Sequence, residues 1–244
     1  MKLELNKKSA LESKTKILLG LTLSLFLGLL CGSADAHGAI PSGKTTVFYF
    51  GQQSQDDFEK KVKPVFSSQP CKNCELVNAT PYTKEGAVDM AALHEKLANL
   101  PDNASFVFFD FNMKVTDQNK NLVDILNQKA DKGLLVVGSA GAPKSNESSG
   151  PLSRTLLGQV KNALIIGELG ERDRLAPSAF YGPEMLTALR PPKDKMGQGY
   201  SPLLFAAALA DHWPKRDSQE WSEFFKKKKA KTRKIWLELG DLFY

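Results

Sequence analysis

Cysteine and histidine are scarce in this chain, with three of each in 244 residues. So few cysteines exclude a disulfide-dense mini-scaffold. There is one C-x-x-C pair, no second, and no closely spaced pair of histidines, so no metal-ligand pattern is present and no cofactor is implied. No apolar run reaches the about 20 residues that span a bilayer comfortably. The longest, ILLGLTLSLFLGLLCG at 17–32, falls short. Repeats, low-complexity tracts and internal linkers are also missing, which leaves a single globular domain. Neither sign of charge dominates, with 33 basic and 27 acidic side chains at 42% hydrophobic content. That composition excludes a disordered chain.

The apolar run does have the flanks of an export signal. Lys2, Lys7, Lys8, Lys14 and Lys16 precede it, and Ser33-Ala34-Asp35-Ala36 follows. Small residues at Ala34 and Ala36 fit cleavage after Ala36, with His37 as the new N-terminus. An uncleaved anchor and a lipid-modified Cys31 are the alternatives, although Gly28-Leu29-Leu30 makes a poor lipoprotein site. The expectation is a periplasmic or secreted chain, residues 37–244. Nucleic acid is then not an expected partner. Membrane contact would come only from an uncleaved signal or from the basic run KKKKAKTRK at 226–234, which reads first as a solvated helix end. In an oxidising compartment Cys71 and Cys74 are expected to form a local disulfide. A redox centre would need them at a helix start after a strand, whereas Pro70 precedes them and the strand-like CELVN begins at Cys74.

The remaining chain alternates strand and helix patterns. TTVFYF (45–50), CELVN (74–78), SFVFFDF (105–111), LLVVGSAG (134–141) and NALIIGELG (162–170) read as strands. Residues 54–66 (with Ser54 as N-cap), 88–100, 119–133, 201–213 and 218–231 read as helices. Unbroken apolar runs indicate strands covered on both faces. The expected fold class is therefore α/β, a three-layer sandwich with a mostly parallel central sheet.

Three segments in order carry a family resemblance. NLVDILNQKADKGLLVVGSAGAP is similar to the helix, Lys-Gly and S-A-G-ending strand of the subtilisin-like serine proteases (subtilases). NALIIGELGERDRLAPSAFYGPEMLTALRPP resembles their next block, with Ser178, Gly182, Pro183 and Pro192 in matching places. GQGYSPLLFAAALADHW resembles the block in which the nucleophilic serine opens a small-residue helix, and the matching residue is Ser201. The resemblance spans roughly 88–231. It implies a subtilisin-like fold, with Gly138, Ser139, Ala140 and Gly141 beside Val115–Lys120 as the peptide-seating edge.

The departures from the family are chemical. TTVFYFGQQ has no carboxylate where the family's catalytic Asp closes its first strand. No H-G-T-H motif exists, Ala142 stands at the oxyanion-hole Asn, and Phe205 replaces the proline of the serine helix. A serine without an adjacent base is a weak nucleophile, and an oxyanion donor alone contributes about 10²–10³ in kcat. Ser201 thus reads as a vestigial nucleophile and as the N-cap of its helix. His94 lies mid-helix, His212 about 16 Å along the axis from Ser201, and His37 at the terminus. The expectation is an exported subtilase-like domain, shortened relative to the family, that has lost protease activity and keeps peptide or protein binding. The alternatives are an active serine endopeptidase with a rearranged base at Ser201 and a purely structural protein. A third is a copper monooxygenase like those of polysaccharide breakdown, which also begin with His, though these need a second His on a β-sandwich.

Overall fold

The structure, a computed structural model, describes residues 45–52, 54–68, 74–101, 104–141, 149–175, 179–195, 199–213, 216–231 and 242–243. The signal segment with Cys31 and His37, the cysteine Cys71, Ala142, Ser178 and the end of the basic run lie outside the described residues.

Among the described residues, six strands form one sheet in the order β2-β1-β3-β4-β5-β6, and all five pairings are parallel. They are β1 (Thr45–Phe50), β2 (Cys74–Asn78), β3 (Phe106–Phe109), β4 (Leu135–Ser139), β5 (Leu164–Glu168) and β6 (Met185–Leu189). β3 to β6 are buried at every position, which is why their sequences do not alternate. Val47, Phe106, Phe108, Val137 and Ile166 face one layer. Phe50, Val107, Phe109, Val136 and Ile165 face the other.

Helices cover both faces. The first layer holds α1, α4 (Tyr200–His212) and α5 (Ser218–Lys231). The second holds α2 (Met90–Ala98) and α3 (Lys120–Asp131). α1 is a continuous helical run of three pieces: Gln55–Asp57, a π-helical stretch Phe58–Val62, and Lys63–Ser68. Ser54 caps it, its hydroxyl accepting the Asp57 N–H at 3.2 Å. The Lys63 N–H reaches back five residues to the Phe58 carbonyl, and Pro64, which has no N–H to donate, follows directly. The segments anticipated from the sequence as strands and helices all form. β6 was not anticipated as a strand.

The strand order explains the faces. β1 to β2 moves outward through α1. β2 to β3 returns across β1 through α2, on the opposite face, as right-handed crossovers require. The direction of winding therefore reverses between β1 and β3, and the loops after these two strands diverge there.

Candidate functional site

β5 ends at Glu168, β6 at Leu189, and α4 begins beside both. Its N-cap residue is Gly199, in the left-handed region at φ 69°, where glycine is favoured. Glycine brings no capping side chain, so the first N–H groups of α4 need an acceptor from elsewhere. Glu168 supplies it. One carboxylate oxygen accepts the Gly199 N–H at 3.3 Å and the other the Ser201 N–H at 2.9 Å. Glu168 is 4% exposed, and the positive end of the helix stabilises its charge. Ser201 is therefore not the N-cap expected of it. It sits two residues further in, and a glutamate 33 residues upstream caps the helix.

Ser201 itself is wholly buried, at 0% exposure. Its hydroxyl donates to the Leu189 carbonyl at 3.0 Å. A carbonyl holds that hydrogen bond but cannot take the proton, so the contact does not activate the oxygen. The described histidines lie elsewhere. His94 is exposed on α2. His212 ends α4, where its Nδ1 meets the Ala208 carbonyl at 2.9 Å. An oxyanion beside Ser201 would need free donors at the start of α4. Two of those amides already hold a carboxylate.

At the end of β1, where the resemblance places a catalytic Asp, the chain has built something else. The Tyr49 side chain lies beneath Gly51, and a Cβ there would run into the phenol oxygen. The Tyr49 hydroxyl donates to Asp110, the residue after β3, and the Gln52 N–H donates to the same carboxylate at 3.1 Å. Gly51 N–H is held by Thr80 Oγ1 at 2.8 Å. Burial pushes the Asp110 carboxyl up to about 6, although the Tyr49 and Gln52 donors pull it down. Burial, then the nearby Asp110 charge, hold the Tyr49 phenol far above its ordinary value. Asp110 belongs to no motif in the sequence. Its only signal was a lone carboxylate closing an otherwise apolar strand.

Parts of the expected peptide-seating edge, Val115 and 139–141, have partners within the chain. Ala140 donates its N–H to the Ile166 carbonyl at 2.8 Å and accepts from Phe180 N–H at 2.9 Å. Ser139 is buried, and its hydroxyl donates to the Gly141 carbonyl at 2.7 Å and accepts the Gly141 N–H at 3.2 Å. Gly138 lies inside β4. Across from it, Val115 N–H donates to Arg154 O and Leu156 N–H to Met113 O, an antiparallel pairing centred on Lys114 and Thr155. Asn112 fastens this segment, donating to Thr155 Oγ1 at 3.0 Å and accepting Leu157 N–H at 3.2 Å. Leu152, Leu156 and Leu157 are buried beneath it. The chain thus pairs its own 154–156 segment with 113–115 through an isolated bridge.

Two further features lie away from Ser201. An open groove of about 440 Å³ runs between α2 and the β1–β2 edge, lined by Phe48, Phe50, Val77 and Leu100 on the α2 face of the sheet. The basic run is not simply a solvated helix end. Lys226 donates to Asn162 Oδ1 at 2.7 Å, and Lys229 to the Pro183 carbonyl at 3.2 Å and to the Met185 carbonyl.

No protein-family model matches the chain, and no curated protein matches its sequence. Solved structures do match in three dimensions. A cold-adapted subtilisin-like serine proteinase aligns over 76% of this chain and 82% of its own, at 11% identity and a TM-score of 0.55. A lanthipeptide protease aligns over 82% and 87%, at 10% identity and a TM-score of 0.57. The self-cleaved protease domain of PatA aligns over 82% and 96%, at 11% identity and a TM-score of 0.57. The fold is subtilisin-like. At such identities the likeness speaks for the subtilisin-like fold alone, and the chemistry rests on the residues described above.

Proposed function

We propose that this chain is an exported subtilisin-like domain without protease activity, which serves by binding a peptide or protein partner. The observation that carries the loss of catalysis is the state of Ser201. Its oxygen is buried and donates to the Leu189 carbonyl, and its N–H is held by Glu168. Nucleophile and base act as a unit, and removing the base forfeits most of the rate. A rearranged base would have to reach a hydroxyl that is turned inward. A partner would use a surface other than 138–141, whose main-chain groups are engaged. The export reading rests on the signal pattern at 1–36, and the Cys71–Cys74 disulfide follows from it.

The test is covalent labelling of the folded, processed chain with a fluorophosphonate. The expected result is no labelling of Ser201 while an active subtilisin labels fully in parallel. Labelling that disappears in Ser201→Ala would overturn the proposal.

A further inference from the structure

The two edges of the sheet are finished differently. β6 is buried at every position, its pairing with β5 carries a shift in register, and Lys229 holds carbonyls at its start. β2 is the opposite edge. CELVN contains no lysine or proline, the residues that blunt exposed edges, and no bulge interrupts its pairing with β1. Its outward main-chain groups follow from the ladder. The Ala79 N–H donates to the Tyr49 carbonyl at 2.9 Å, so the Ala79 amide faces β1. Alternation then turns the main-chain groups of Val77 toward β1 and those of Leu76 and Asn78 outward. Among the described residues, no main-chain bond meets the N–H or carbonyl of Leu76 or Asn78 on that outer side.

Beside this edge lies the groove of about 440 Å³. Phe48 and Val77 are register partners, so their side chains share the α2 face of the sheet, and both line the groove with Leu100. Its volume falls within the about 300–1,000 Å³ of pockets that seat a ligand. Glu95 and Lys96 also line it, with opposite signs. α1, on the other face, pairs its own charges as Asp56–Lys60, Asp57–Lys61 and Glu59–Lys63. Glu75 is the only charge of β2 and lies outside the groove. The surroundings of the groove thus favour neither sign. A strand laid beside β2 would bond to Leu76 and Asn78 and set every second side chain beside Val77, over the groove.

We propose that the outer edge of β2 docks an extended, uncharged peptide segment of a partner protein, which adds as a seventh strand and seats a bulky apolar side chain in the groove. This inference deepens the proposed binding role and rests on it. Main-chain bonds supply the affinity, and the groove selects the side chain. Area decides for a peptide segment over a second copy of this chain. Two β2 strands of 5 residues would meet over about 17 Å of length and about 10 Å of depth. That contact falls well short of the about 800 Å² per partner of a stable pair. A flexible segment can follow the edge beyond β2 and enter the groove, where it also meets α2.

The experiment offers the full chain a library of random peptides of about twelve residues, long enough to span β2, and reads the retained ones by amide hydrogen exchange. At saturation, a retained peptide should protect the Leu76 and Asn78 amides at least about tenfold more than in the free chain. Val77, whose N–H faces β1, should be protected from the outset. The retained sequences should carry a bulky apolar residue and no net charge. Val77→Lys, at a half-buried edge position, should weaken binding at least about tenfold. If that variant does not fold, the exchange pattern of the wild-type chain decides. Retained peptides that leave Leu76 and Asn78 unprotected would overturn the edge site and leave the binding role standing. No retained peptide at all would overturn both. A free chain that sediments as a dimer, with those two amides already protected, would give the edge to a second copy and overturn the peptide.

Discussion

Glu168 shows what a single buried side chain does here. It ends β5, yet its partners open α4, 33 residues later in the chain. Hydrogen bonds to a charged group contribute about 1.5–3 kcal/mol, and burying the partners unpaired costs a similar amount. Glu168→Ala should therefore destabilise the chain by about 2–4 kcal/mol, measured by denaturant unfolding. Glu168→Gln keeps an oxygen for one amide and should recover part of that loss. If Glu168→Ala unfolds at the wild-type midpoint, the carboxylate is not the cap of α4. The place of Ser201 at the start of α4 was legible in the sequence, because an apolar, alanine-rich helix follows it directly. Glu168 and Asp110 were not. Their partners lie 33 and 61 residues away, and only the register of a folded sheet brings such distances together.

At the level of elements, apolar runs and helical periodicity located what is buried most heavily. TTVFYF and CELVN coincide with β1 and β2, residue for residue. β6 carries no such signal, because MLTAL includes Thr187 and lies inside a block dominated by Gly-Pro and Pro-Pro turns. The π-helical stretch escaped because a fivefold hydrogen-bond pattern leaves no mark in a 3.6-residue period. By composition the basic run is uniform, yet neighbouring lysines of α5 differ in their contacts. Lys229 spans to two carbonyls at the start of β6, and burial lowers its pKa. Lys227 is 77% exposed and 4.0 Å from Glu223. Lys229→Ala should cost about 1 kcal/mol and Lys227→Ala less than about 0.5 kcal/mol. Equal effects in thermal unfolding would return the run to a uniformly solvated helix end.

For the molecule as a whole, the sheet and its helices are subtilisin-like, and the groups around Ser201 are engaged in structural contacts. The amides at the start of α4 hold Glu168, and the edge at 113–115 holds the chain's own 154–156 segment. Whether that segment is core or a removable strap is a property of the entire fold, since Leu152, Leu156 and Leu157 join the cluster beneath α2 and α3. Arg154 gives direct access to the question. Its side chain is exposed, but its carbonyl is bonded to Val115 N–H. A protease that cuts after arginine needs that backbone extended and free in its own cleft, so cleavage there reports detachment of the segment. The folded chain should resist cutting after Arg154 under conditions where exposed lysines are trimmed, and Leu156→Ala should lose about 2–5 kcal/mol, as a core leucine does. Cleavage after Arg154 in the native chain would mean that the 154–156 segment leaves its edge, and a peptide could then take its place beside Gly138–Gly141.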